Sequence, residues 1–237
     1  MEPILVYGFP LGSSMGLVAA LEWLGMPYRL CRVDMLDDMR QPSYARLNPR
    51  HETPVFVTEG GTVLTETMAI AAWLEARDTE RRISFAPLSP EADRMHRLMG
   101  FTNSSFTGSF SALWAALEMT DPDPHLRDAL RRWGRTAVIK RHDQLEELIE
   151  DTPFLLGDRP TLADAMLAGV SRWLEFHAVA ELARWPKLAT WRSRIEVEPA
   201  IVFATEIENG QASTGSGAFQ GHTPLAEAVG RFGASPR

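Results

Sequence analysis

Thr53, Glu66 and Thr67 stand out first, because their types and spacing suit recognition of a small peptide. The run Asn48-Pro49-Arg50-His51-Glu52-Thr53-Pro54-Val55-Phe56 reads as a charged turn that enters a short strand through a Thr-Pro bond. A cis bond before Pro54 would turn the Thr53 amide and carbonyl outward, free to pair with an extended peptide. Shortly after, Leu64-Thr65-Glu66-Thr67-Met68-Ala69-Ile70 opens a helix. A helix N-terminus favours a carboxylate through its free amides and dipole. Thr67 adds a hydroxyl donor, and Glu66 would hold an ammonium group. The pair fits an α-amino acid head group.

Ser13 and Ser14 lie where the first loop enters the first helix. A hydroxyl there sits in positive helix potential, which stabilises an adjacent anion such as a thiolate. One of the two can cap the helix while the other acts. Other chemistries find little support. The six histidines (His51, His96, His125, His142, His177 and His222) show no short metal spacing. There is no GxSxG elbow, Walker loop or GxGxxG. The single cysteine, Cys31, lies in an apolar strand and reads as a buried hydrophobe, with no partner for a disulfide or CxxC pair. The tryptophans fall mostly in helical patterns and read as core or interface.

These residues need a scaffold, and the patterning supplies one. Ile4 to Tyr7 is an apolar run suited to a buried strand. Leu17, Val18, Leu21 and Leu24 repeat at helical spacing, and Gly25 closes that helix. Tyr28 to Val33 is a second strand, so strand–helix–strand predicts a parallel pair with a right-handed crossover. A short helix is expected around Ser43 to Leu47. Pro54 to Thr58, the turn Glu59-Gly60-Gly61-Thr62, and Thr62 to Thr65 form an antiparallel hairpin. Glu66 to Arg77 is helical. This unit spans residues 1–80, and a linker with Pro87 and Pro90 follows.

Beyond the linker the pattern is helical throughout. Ser89-Pro90 is a helix start. Long helices are predicted over 90–118 and 124–150, and shorter ones from Thr161, from Pro186 to about Glu196, and from Pro199 to about Ile207. Thr161 and Asp164 form a capping box. Residues 208–237 are rich in Gly, Ser, Thr and Ala and read as a tail, either flexible or folded back across the cleft on Phe219 or Phe232.

The chain has 237 residues, 45% of them hydrophobic, enough for a full core. Its net charge of -7 argues against a surface built for nucleic acid. No apolar run is long enough to span a bilayer, and the N-terminus lacks the basic region of a signal peptide, so a cytoplasmic protein is expected.

With these motifs in order, the sequence resembles a cytosolic glutathione transferase over about residues 4 to 204. The resemblance rests on Asn48-Pro49 with Thr53-Pro54, on Glu66-Thr67-Met68-Ala69-Ile70, on Phe154-Leu155-Leu156-Gly157-Asp158-Arg159-Pro160-Thr161-Leu162-Ala163-Asp164, and on Trp185-Pro186-Lys187-Leu188. It implies a thioredoxin-like α/β domain at 1–80 and an all-α acceptor domain at 90–207. It also implies that Pro54 is cis, that the Thr53 main chain pairs with the cysteinyl part of glutathione, and that Glu66 and Thr67 hold the γ-glutamyl end. Arg40 matches a position, often basic, that meets the glycine carboxylate. Glu52 stands where Lys or Gln is usual, and an acid there would repel that carboxylate.

The first loop resembles beta-like and nu-like members but lacks the catalytic cysteine of the former. Leu11 occupies the place of the theta-like serine and offers no reactive group. Ser13 occupies the place of the beta-like cysteine and the nu-like asparagine, which makes it the first candidate thiolate donor, with Ser14 second. Tyr7 is weaker and more simply ends the first strand. Thr107 stands at a position where beta-like members carry histidine. The expected function is conjugation of the glutathione thiolate to a small hydrophobic electrophile by a homodimer, with glutathione as co-substrate, no cofactor and no metal. An apolar acceptor pocket is expected from Phe9, Leu11, Phe106, Phe110 and Trp114. Glutathione-dependent peroxide or disulfide chemistry, and non-catalytic glutathione binding, are the alternatives.

Overall fold

A computed structural model describes residues 1–120 and 123–234. Five strands make one mixed sheet in the order β4-β3-β1-β2-β5. β1 (Ile4–Phe9) and β2 (Tyr28–Asp34) pair in parallel, Ile4 opposite Arg29 and Phe9 opposite Asp34. Helix α1 (Met15–Leu24) supplies the crossover and ends at Gly25, whose φ of 74° a side chain would disfavour. β3 (Val55–Val57) runs antiparallel to β1, and β4 (Val63–Thr65) antiparallel to β3. The short helix expected around residue 45 is a single 3-10 turn, Tyr44–Arg46. Helix α2 (Thr67–Arg77) completes this part of the domain.

Side chains alternate across the strands and so build two cores. Leu5, Tyr7, Leu30 and Phe56 face α1, α2 and the helical domain. Ile4, Val6, Cys31, Val33, Val55 and Val57 face the other way, onto Tyr44 and Leu47.

The second domain is all helical. α3 (Pro90–Gly100) starts with the Ser89 hydroxyl accepting from the Ala92 amide at 3.1 Å. The single long helix predicted over 90–118 is interrupted: a π-helical stretch at Phe101–Phe106 follows α3, and α4 (Ser111–Glu118) starts separately. α5 (Pro124–Leu148), α6 (Leu162–Ser171), the short α7 (Trp173–Phe176), α8 (Pro186–Ile195) and α9 (Pro199–Glu208) follow. The capping box at Thr161 and Asp164 is present. Asp164 is fully buried and accepts from the Leu155 amide, the Thr161 amide and hydroxyl, and Trp191 Nε1, at 2.8–3.0 Å.

The two domains meet where α1 crosses α6. A Cβ on Gly16 would lie 1.8 Å from the Ala165 carbonyl oxygen, and one on Gly169 would lie 2.2 Å from that of Ser13. Only glycine permits this approach.

The described part of the tail, residues 208–234, joins the first domain. β5 (Phe219–His222) pairs in parallel with β2 and extends the sheet. α10 (Leu225–Phe232) then lays Leu225, Ala228, Val229 and Phe232 on the second core. Phe219 packs on Tyr28 and Phe203, with ring centres 5.9 and 5.6 Å away. The buried Glu22 carboxylate accepts from Tyr28 Oη and the Ser216 amide, which pins the segment before β5. Among the described residues, no helix is long and apolar enough to cross a membrane.

Candidate active site

The loop that carries Thr53 is held from behind by buried polar groups. Tyr44 Oη and Asn48 Nδ2 both donate to the Glu52 carbonyl at 2.9 Å, and Asn48 Oδ1 accepts from the Arg50 amide at 3.1 Å. His51 Nδ1 lies 2.7 Å from the Met39 carbonyl, which ties the turn carrying Arg40 to the same loop. The Thr53-Pro54 bond is cis. Among the described residues, neither the Thr53 amide nor its carbonyl has a main-chain partner. Both remain available to an extended ligand.

Glu66 precedes α2 with φ of 75°, a conformation uncommon for a residue with a side chain and enriched at functional sites. Its carboxylate is exposed and paired with Arg50, which also pairs with Glu52 at 2.8 Å. Glu52 thus shares one guanidinium with Glu66, which reduces but does not cancel the repulsion expected of it. A ligand ammonium would share Glu66 with Arg50. Both pairs are solvated, so each contributes only about 0–1 kcal/mol and can rearrange readily. Thr67 is the first residue of α2 and is half-buried, while Arg40 is exposed.

Thr53 also lies against the end of β1, just before the first loop. A Cβ on Gly8 would lie 2.6 Å from Thr53 Oγ1 and from Met35 Sδ. The peptide-binding edge and the loop with Ser13 thus share one end of the sheet.

That loop is fixed by the second domain. It contains a second cis bond, Phe9-Pro10, and Leu11 at φ of 59°. Glu208 Oε1 accepts from the Gly12 amide at 3.1 Å. Arg172 donates to the Gly12 carbonyl at 2.8 Å and forms a two-pronged pair with Glu208. Trp173 Nε1 donates to the Leu11 carbonyl at 2.9 Å. The side chains of Arg172 and Glu208 are only 15% and 4% exposed. Sequence reading missed these residues because their partners lie some 160 to 200 positions away, outside any local pattern.

The two serines separate. Ser14 is fully buried, and its hydroxyl accepts from the Gly8 amide at 3.0 Å. It cannot reach a ligand, so its expected role as second donor is corrected. Ser13 keeps partial exposure at the loop's end. Tyr7 is excluded by the same physics: it is buried, its hydroxyl donates to the Ile207 carbonyl at 3.1 Å, and burial pushes its ionisation upward. Cys31 is buried on the opposite core, and burial pushes its thiol up to about 12. It supplies no thiolate for disulfide chemistry.

The expected acceptor pocket is brought together only in part. Phe9 is half-exposed and covers Arg32, with 3.2 Å between the guanidinium carbon and the ring centre. Leu11 packs partly buried against the main core. Phe106 and Phe110 are fully buried and belong to the helical core: Phe106 lies 4.6 Å from the His142 ring, and Phe110 lies 5.5 Å from Trp173. Their helical spacing fits a core face as well as a pocket face, and the core is what they form. Trp114 stands at the surface of that cluster, stacked on Phe176 at 5.3 Å. A cavity of about 360 Å³ beside it is lined by Leu113, Leu117, Arg131, Arg135, Phe176 and His177. Among the described residues, no group of three or more His, Cys, Asp or Glu side chains could hold a metal ion.

Comparison with known proteins places this geometry. Residues 14–77 match the family model of the glutathione S-transferase N-terminal domain, and residues 116–199 that of the C-terminal domain. The maleylacetoacetate isomerase of Pseudomonas aeruginosa is 28% identical over 194 residues, covering 80% of this chain and 89% of that protein. The solved structure of BphK, described as a bacterial glutathione transferase in a ternary complex, has a TM-score of 0.74 and 26% identity, covering 87% of this chain and 99% of that one. A glutathione transferase homologue from Sulfitobacter, solved with bound glutathione, has a TM-score of 0.77 at 22% identity, covering 89% and 99%. The expected fold class holds: a thioredoxin-like α/β domain followed by a helical domain.

Proposed function

Since this chain belongs to the glutathione transferase family, we propose that it binds glutathione and transfers it to a small hydrophobic electrophile. The observation that carries the reading is the unpaired Thr53 main chain, beside Glu66 and Thr67 at the start of α2. In this reading Thr53 pairs with the cysteinyl unit, Glu66 and Thr67 take the γ-glutamyl head group, and Arg40 or Arg50 meets the glycine carboxylate. The thiol then lies against the first loop, where the Ser13 hydroxyl donates a hydrogen bond to the thiolate. A free thiol ionises near 8.5, so such a donor favours the anion at neutral pH. The thiolate forms a bond to an electrophilic carbon, the leaving group takes the electron pair, and binding supplies proximity.

Isothermal titration with glutathione tests the binding half, and the ultraviolet absorbance of bound thiolate against pH tests activation. Folded protein that shows no heat at millimolar glutathione overturns the reading. A second reading draws support from the isomerase relative. Reversible addition of the thiolate to an activated double bond, rotation about the resulting single bond, and elimination would interconvert cis and trans olefins and return glutathione. Incubation with a cis-enedione separates the two: isomerisation leaves the glutathione concentration unchanged, whereas conjugation consumes it.

A further inference from the structure

A cavity of about 400 Å³ lies beside β2, between the end of α9 and the segment that leaves β5. Arg32, His222 and Thr223 give it polar walls, and Ile207, Pro224 and Leu225 give it apolar ones. Arg32 donates through Nε and Nη2 to the Glu208 carbonyl at 3.2 and 2.9 Å. Arg29, on the same strand, donates to the Gln220 and His222 carbonyls at 2.8 and 2.9 Å and to Thr223 Oγ1 at 3.1 Å. None of the ion pairs among the described residues involves either arginine. Carbonyl dipoles satisfy donors but leave the net charge in place. The cavity wall therefore carries the uncompensated guanidinium of Arg32, with that of Arg29 bonded just behind His222 and Thr223, in a chain whose net charge is -7. Partial burial first, and then the charges of Arg32 and Arg29, hold the His222 imidazole below its ordinary range.

We propose that this cavity binds a small organic carboxylate, its acid group on Arg32 and His222 and its apolar body against Ile207, Pro224 and Leu225. The apolar walls favour a carboxylate carrying a hydrocarbon body over inorganic phosphate. The site adjoins the first loop through the Arg32–Phe9 stack. It stands on its own residues and does not depend on glutathione chemistry. Its ligand is either an acid-bearing acceptor of the transfer reaction or an anion that binds next to it, and the recognising chemistry is the same.

The test titrates the full chain with hexanoate, hexanamide and inorganic phosphate, followed by calorimetry, with glutathione titrated in parallel. Hexanoate is expected to saturate in the millimolar range. Hexanamide should bind at least about tenfold more weakly, since one charge-assisted hydrogen bond carries that much. Arg32→Met and His222→Phe should each erase the preference for acid over amide. His222 is exposed, so its variant reads the site even where Arg32→Met fails to fold. Equal binding of acid and amide, phosphate as strong as hexanoate, or no hexanoate binding overturns the proposal. Loss of glutathione binding with hexanoate retained would instead sink the transferase reading alone. Competitive inhibition by hexanoate against the acceptor identifies an acid-bearing acceptor, noncompetitive inhibition identifies a neighbouring anion, and both support the site.

Discussion

The Arg172–Glu208 pair yields the sharpest prediction. Both side chains are largely withdrawn from water, and both bond to the main chain of Gly12. Arg172→Met leaves the Glu208 carboxylate buried without its counter-ion and strips the Gly12 carbonyl of its donor. Glu208→Leu leaves the guanidinium buried and the Gly12 amide unpaired. Each single change should cost about 3–5 kcal/mol, the usual penalty for orphaning one partner of a buried pair. That is a large part of a typical domain's stability of about 5–15 kcal/mol. The double variant removes both charges but still orphans the Gly12 amide and carbonyl, at about 1–3 kcal/mol each. Its cost should therefore fall well below the sum of the singles. Equilibrium urea unfolding followed by tryptophan fluorescence measures all three, and glutathione titration of the folded fraction reports on the loop. Single costs below about 1 kcal/mol would mean the pair behaves like a solvated surface pair, and strict additivity would mean that the two charges are not coupled. Either result refutes the claim that this pair braces the first loop.

Three further outcomes follow from particular contacts. Ser14→Ala should destabilise the fold by about 1–3 kcal/mol by stranding the buried Gly8 amide, whereas Ser13→Ala should leave the unfolding midpoint unchanged and lower kcat/KM by roughly tenfold or more through a less ionised thiol. Asp164→Ala leaves four buried donors unpaired, and a loss of about 3–5 kcal/mol in urea unfolding is expected. His142 is buried between Phe106 and Trp185, and burial lowers its pKa to about 4. Below about pH 6.5 the unfolded chain takes up a proton that the folded one refuses, so stability should fall by about 3 kcal/mol between pH 6.5 and 4, and His142→Phe should flatten that limb of the stability–pH curve.

Local signals proved readable. Gly25 after the leucine repeat marked the end of α1, and Ser89-Pro90 marked the start of α3. Thr161 with Asp164 gave the capping box, because such a cap needs only residues three apart. Thr53-Pro54 and Glu66-Thr67 could be found as a pair because each is a local backbone device, one at a strand start and one at a helix start. What stayed hidden was non-local. Helical periodicity places Phe106 and Phe110 on one face but cannot say whether that face meets a cleft or another helix. The break of the 90–118 helix into a π-helical stretch leaves the apolar spacing almost unaltered. The pairing of β5 with β2 joins residues far apart along the chain, and a Gly- and Ser-rich segment shows no sign of the strand that it precedes.

That pairing makes the first domain discontinuous in the chain. Its sheet needs β5, and its second core needs α10, yet both are translated only after the whole helical domain. During synthesis the β2 edge stays unpaired, and the second core has the cover of Tyr44 and Leu47 but not that of α10, until residues 219–232 emerge. An open strand edge beside an apolar face invites association with other chains. Completion of the sheet that carries Thr53 and the first loop therefore waits on a segment made after the helical domain.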